Sequence, residues 1–158
     1  MTKTGINRLI RLIDPRQIVA TIMKEILLGS NLENLFWDTL SQIWHDNEGI
    51  PVIRTFLEKF KVNPNLTIGD QSALQFVVSR REFQLVKLLL EYGADPNIRN
   101  RLGRTPLFYI VIVGDKPKAI IKLLMECGAD PDIEDNFQLT PRRVAGRDPD
   151  ILKLLDQK

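Results

Sequence analysis

Two residue types that most often carry chemistry occur once each in this chain, His45 and Cys127. Metal cages and imidazole or thiol catalysis draw on several such groups converging, so a two-histidine cluster and an internal disulfide are both excluded. His45 falls near an expected helix end and reads as a capped or partly buried side chain. Cys127 stands between Glu126 and Gly128, and a neighbouring carboxylate discourages a reactive thiolate. Asp130, Asp132, Glu134 and Asp135 could hold a cation weakly, but they lack the glycine turn and closing glutamate of a calcium loop, so they read as solvated loop charge. No glycine loop suited to phosphate and no serine nucleophile elbow occurs. What remains is recognition. Arg99, Arg101, Arg104, Arg142, Arg143 and Arg147 stand in the same stretch of chain as Leu102, Tyr109 and Phe137, and a fold that brought them to one face would give them the composition of a binding hot spot. The arginines suit an acidic or phosphorylated protein segment. Their plainer use is solubility and pairing between loops, for instance Arg99 with Glu134, worth at most about 1 kcal/mol.

The whole chain sets the frame for that surface. Its 158 residues suffice for one domain that buries roughly 70% of its unfolded surface. A net charge of +2 gives no broad electrostatic case for nucleic acid or a membrane surface. The longest apolar run, Leu107 to Val113, is far short of the roughly 20 residues that span a bilayer. With one cysteine and no recognisable secretory leader, a cytoplasmic, reducing compartment is expected. The first thirty residues carry Lys3, Arg8, Arg11, Arg16 and Lys24, with Ile6, Leu9, Ile10 and Ile13 on one possible helical face. They read as an amphipathic capping helix, with a targeting segment as the alternative.

Helical periodicity dominates the chain. Asp14-Pro15 opens a stripe of Ile18, Val19, Ile22, Met23, Ile26 and Leu27, and Gly29 is placed to stop it. Ser30 or Asn31 can cap the next helix, which carries Leu32, Leu35, Phe36, Leu40, Ile43 and Trp44. Pro51 suits the first position of a third, with Val52, Ile53, Phe56, Leu57 and Phe60 on one face.

Beyond this point a repeat explains more than local propensity does. Gly93-Ala94-Asp95-Pro96-Asn97 recurs as Gly128-Ala129-Asp130-Pro131-Asp132, and Thr105-Pro106 recurs as Thr140-Pro141, both at a spacing of 35. Leu85 to Leu90 matches Ile120 to Met125, with Lys116-Pro117 inserted ahead of the second copy. Lys61-Val62-Asn63-Pro64-Asn65 stands where the Gly-Ala-Asp loop stands later, and Ile151 to Leu155 repeats the second-helix signature. A period in this range means stacked supersecondary units that work through an extended exposed face.

These residues resemble the ankyrin repeat. The resemblance implies an all-α solenoid of about four helix pairs with β-turn or hairpin fingers, preceded by N-terminal capping helices. The expected divisions are a cap over 1–33 and an array over 34–158, comprising a degenerate pair at 34–60, units at 61–93 and 94–128, and a C-terminal cap repeat at 129–158 in which the array ends. Leu107 to Val113 is β-branched and strand-like when read alone. The repeat register, with a Thr-Pro cap before it and a second-helix signature after it, predicts a helix. Several positions depart from the family pattern. Gln75, Phe108 and Arg143 replace the histidine after Thr-Pro-Leu, which puts its usual link to neighbouring loops in doubt. Arg81 and Gln138 replace loop glycines, which predicts local loop adjustment. Arg142 replaces a core leucine and reads as a cap facing water.

Carried over position by position, the resemblance places Arg99, Arg101, Leu102 and Arg104 in one exposed finger, and Glu134, Asn136, Phe137 and Leu139 in the next. On the first helices it points outward Phe76, Ser79 and Arg80, then Tyr109, Ile112 and Val113, then Val144, Arg147 and Asp148. The partner-binding set expected from this is Phe76, Arg80, Arg99, Arg101, Leu102, Arg104, Tyr109, Ile112, Val113, Asn136, Phe137 and Arg147. The function expected is non-catalytic binding of another protein by a monomeric module without a cofactor or metal. The rivals are nucleic-acid binding through the arginines, an enzyme with an unrecognised site, and a partner surface on the N-terminal helices anchored by Phe36, Trp37 and Trp44.

Overall fold

A computed structural model describes residues 14–42, 49–112 and 117–156. His45, Trp44, Ile43, Val113, Lys116 and the apolar positions before Asp14 lie outside the described residues. Contacts divide the chain into two compact units, with Leu66 the last residue of one and Thr67 the first of the other. That division falls inside the array expected to begin at residue 34.

The first unit contains α1 (Pro15–Leu27), α2 (Leu32–Gln42) and α3 (Ile50–Glu58). Asp14 starts α1 by accepting the Arg16 N–H at 2.9 Å, with Pro15 at the first position. Of the two candidate caps for α2, Asn31 does the work: its Oδ1 accepts the N–H groups of Glu33 and Asn34. The core joins Ile18 and Ile22 of α1 to Leu35, Phe36 and Leu40 of α2 and to Val52, Ile53 and Phe56 of α3. Phe36 meets Phe56 edge to face at 5.7 Å. Phe36 and Trp37 are therefore interior side chains, which removes them as surface anchors. The α1 stripe is narrower than its periodicity suggests, because Met23, Ile26 and Leu27 stay exposed.

The second unit begins with a two-residue hairpin, β1 (Thr67–Ile68) pairing antiparallel with β2 (Gln71–Ser72). Gly69, at φ +64°, supplies the turn. Three helix pairs follow: α4 (Ala73–Ser79) with α5 (Phe83–Glu91), α6 (Pro106–Ile112) with α7 (Lys118–Glu126), and α8 (Pro141–Ala145) with α9 (Pro149–Leu155). The first helices stack on one another, α4 on α6 and α6 on α8, while α5 meets α7 and α7 meets α9. The caps are those the repeat predicts. Thr105 Oγ1 accepts the Phe108 N–H at 3.3 Å and Thr140 Oγ1 accepts the Arg143 N–H at 3.1 Å. The strand-like run is helical through Ile112, with Leu107, Phe108, Ile110 and Val111 buried. Tertiary burial overrides its β propensity.

Two departures resolve differently from expectation. Arg81 and Gln138 do not adjust the loops; they adopt the left-handed conformation themselves, at φ +63° and +60°, and Lys61 does the same at +53°. That conformation costs a non-glycine residue about 1 to 2 kcal/mol, and all three residues are exposed. Gln75 does make an inter-unit link. Its Oε1 accepts the Ser72 N–H in a capping box, and its Nε2 donates to the carbonyls of Ile98 at 3.2 Å and Arg104 at 2.7 Å.

Candidate protein-interaction surface

The two fingers after α5 and α7 share one hydrogen-bond scheme. In the first, the Asn100 N–H donates to the Arg104 carbonyl, the Gly103 N–H closes onto the Asn100 carbonyl, and Asn100 Oδ1 accepts from the N–H groups of Leu102 and Arg104. In the second, Asp135 takes the Asn100 role. Its N–H donates to Leu139, Gln138 closes onto its carbonyl, and its Oδ1 accepts from Phe137 and Leu139. Each is a tight turn followed by a left-handed residue, Gly103 or Gln138. Neither Asn100 nor Asp135 was singled out from sequence as an organiser, although their spacing of 35, with Asx at both positions, carried the signal.

Neighbouring fingers are stitched side by side. Asp70, on the hairpin, accepts the Arg101 N–H at 3.0 Å. On the other side, Asn136 donates its N–H to the Leu102 carbonyl at 2.9 Å and its Nδ2 to the Arg101 carbonyl at 2.8 Å. Arg99 reaches both the Gly103 carbonyl and the Glu134 carbonyl. The expected pairing of Arg99 with Glu134 is thus a guanidinium on a backbone oxygen. A carbonyl takes the hydrogen bond without cancelling the charge. Gly103 sits in this crossing, where a Cβ would come within 2.7 Å of Arg99 Nη2 and Asn136 Oδ1.

Arg104, expected on the exposed finger, turns inward instead. Its Nε donates to Asp135 Oδ2 at 3.1 Å, and its guanidinium lies 4.8 Å from the Phe108 ring centre and 6.0 Å from that of Phe137. Burial would raise the Asp135 carboxyl, but the N–H donors of Leu139 and Phe137 and the Arg104 guanidinium outweigh it and hold the group below its ordinary value. Tyr109 is half-buried, and its hydroxyl accepts from Asn100 Nδ2 at 2.9 Å. Arg80 lies over the Phe76 ring at 4.6 Å.

Of the expected set, then, the structure brings Arg99, Arg101, Leu102, Arg104, Tyr109, Asn136 and Phe137 into one connected patch. Phe76 and Arg80 form their own contact on α4, Ile112 and Arg147 are exposed on or after other first helices, and Val113 is outside the described residues. The outermost groups of the patch are Phe137, 62% exposed, and the Arg101 side chain, 82% exposed.

The other candidate chemistry dissolves into structure. Asp132 binds Arg142, whose guanidinium also reaches Asp156 at 2.6 Å and the Leu155 carbonyl. Asp132 and then Asp156 raise the Arg142 pKa further. This half-buried residue, expected to face water as a cap, clasps the α8 start to the α9 end beside an open groove of about 690 Å³ lined by Met125, Ala129, Pro131 and Leu155. Asp130 caps Asp132. No group of three or more potential metal ligands gathers among the described residues. Partial burial, and after it the Glu126 carboxylate that the sequence pointed to, pushes the Cys127 thiol up. No helix among the described residues is long and apolar enough to cross a membrane.

Fingers on stacked helix pairs define a repeat protein of the ankyrin type. A family profile of ankyrin repeats in three copies matches residues 43–155, and the chain belongs to the ankyrin-repeat family. Among curated proteins it is 48% identical over 50 residues to Protein HOS4 of Saccharomyces cerevisiae, covering 32% of this chain and 5% of that one. It is 31% identical over 70 residues to Ankyrin repeat protein OPG189 of vaccinia virus, covering 44% and 12%. With the putative ankyrin repeat protein FPV222 of fowlpox virus it shares 37% over 62 residues, covering 39% and 8%. The chain thus spans a small fraction of the length of these relatives. The ankyrin repeat domain of Bcl-3, described as a unique member of the IkappaB protein family, superposes with a TM-score of 0.67 at 21% identity, over 78% of this chain and 51% of that domain. That likeness shows the fold. Ankyrin-repeat domains are in general protein-protein interaction modules.

Proposed function

We propose that this chain is a non-catalytic module that binds another protein through the fingers and first helices of residues 67–156. The observation that carries this reading is the pairing of a fixed backbone with exposed tips. Arg101, Leu102 and Asn136 are held through their backbone groups by neighbouring turns, while Arg101 and Phe137 present their side chains to solvent. A preorganised backbone lowers the ordering cost of association, and an aromatic and an arginine exposed on adjoining turns suit the anchoring positions of a hot spot. The module works as a monomer inside the cell and needs no cofactor.

Affinity capture from native lysate tests this with wild type against an Arg101→Ala, Phe137→Ala double variant. Partners lost in the variant, at a cost of at least about 2 kcal/mol of binding and with the thermal transition unchanged, support the proposal. An identical partner set for both proteins sinks it. Salt-titrated binding to mixed DNA and RNA separates the nucleic-acid rival, which requires salt-sensitive association carried by the same arginines.

A further inference from the structure

The cationic groups of the second unit are partnered differently on its two sides. On the second helices, lysines face acids: Lys87 with Glu91 at 3.9 Å, Lys122 with Glu126 at 3.7 Å, and Lys118 with Asp150. The first two are the same i,i+4 pair at the same place in successive units. Charge at these three lysines is offset locally. On the finger side the cations are arginines: Arg104 and Arg142 are paired with Asp135, Asp132 and Asp156, whereas two others are held by neutral oxygens. Arg99 donates to the carbonyls of Gly103 and Glu134, and Arg143 donates to the carbonyl of Gln138. Their positions are fixed while their charges stay.

Arg101 differs from both. Its Nε lies 3.9 Å from Asp70 Oδ1, a loose contact with the arginine side chain 82% exposed. The same oxygen accepts the Arg101 backbone N–H at 3.0 Å. Asp70 can therefore keep the backbone in place while the guanidinium swings to another carboxylate, and exchanging one exposed ion pair for another costs little. Leu102 and Phe137 supply exposed apolar surface on the same two fingers.

We infer that the segment recognised by this surface is an acidic peptide whose Asp and Glu side chains meet Arg99, Arg101 and Arg143 and whose apolar residue packs on Phe137 and Leu102. The inference rests on the proposed function above and narrows it to one partner chemistry. Charge complementarity selects an anionic segment, and the two carbonyl-bound arginines, with part of their donor fork already in use, are left with single-point contacts, for which ordinary Asp and Glu side chains suffice.

The test pans the full chain against a random peptide library displayed on phage and measures the selected peptides by fluorescence anisotropy. Peptides with an excess of Asp and Glu around a Leu, Phe or Trp are expected. Their binding should weaken as salt rises, fall about tenfold or more with Arg101→Ala and with Phe137→Ala, and stay unchanged with Lys87→Ala. Thermal unfolding of each variant confirms that the fold is retained. Neutral or basic peptides that still depend on Phe137 overturn the acidic chemistry and leave the finger surface standing. Peptides indifferent to both finger substitutions overturn the surface as well. Phosphoserine versions that bind more than tenfold tighter than their aspartate counterparts, a preference for single-stranded RNA over peptide at equal salt, or a selection that returns no binder each overturn the inference.

Discussion

The Asn100 and Asp135 fingers have the same hydrogen-bond skeleton and opposite chemical settings. Asn100 is neutral and half-exposed, and its amide reaches outward to Tyr109 and Asp70. Asp135 is charged and buried, and it draws Arg104 in beneath the ring of Phe137. The first finger closes with Gly103, for which the left-handed turn is free of side-chain strain; the second closes with Gln138, which carries that strain. The backbone scheme is thus scaffold common to both, and what differs between the copies decides which side chains are left at the tips.

Substitutions at the two left-handed positions break the comparison most sharply. Gly103→Ala combines the left-handed penalty with the clash against Arg99 and Asn136, and should destabilise by about 2 to 3 kcal/mol in urea unfolding. Gln138→Gly, the reciprocal change, should be neutral or stabilising by up to about 1 kcal/mol. A large loss at Gln138 would mean that its side chain holds the finger.

Acid titration separates the two organisers. Because the folded Asp135 carboxyl lies below its ordinary value of 3.8, its contribution is present above that value and lost as pH falls through the folded one. Asp135→Asn should therefore lower the melting temperature at neutral pH, with the gap to wild type closing in acid. Asn100→Ala should show no such closure, since the amide does not titrate. Parallel curves for wild type and Asp135→Asn would contradict the ion-pair account.

The smallest effects on folding belong to the tips. Arg101→Ala and Phe137→Ala should shift stability by no more than about 0.5 kcal/mol, as surface substitutions do. Their effect should appear in binding. A stability loss comparable to that of Gly103→Ala would reassign Phe137 to the packing of the finger.

Much of this was legible in the sequence, for reasons that differ by residue. The 35-residue register carried the helix pairs and the Thr105 and Thr140 caps, and it overruled the strand-like composition of Leu107 to Ile112. Periodicity could not give the width of the α1 face: Ile18 and Ile22 are buried, yet Leu27 is 84% exposed, because a helix buries only as much of its stripe as its neighbours cover. The finger interiors were less readable. Turning Arg104 inward depends on a buried carboxylate one unit away, and tying Tyr109 to Asn100 depends on how the turn aims an amide. A linear pattern does not encode such cross-unit geometry. Gln75 shows the limit from the other side, since it takes over an inter-unit link that its departure from the family pattern had put in doubt.

The most direct test of the fingers as the partner surface is site-specific photocrosslinking in cells, with a benzophenone amino acid placed in turn at Phe137 and at the exposed Gln84 of α5. A discrete protein adduct from position 137, lost when Arg101→Ala is added and not formed from position 84, is the result predicted. Adducts formed from both positions alike, or from position 84 alone, would contradict it.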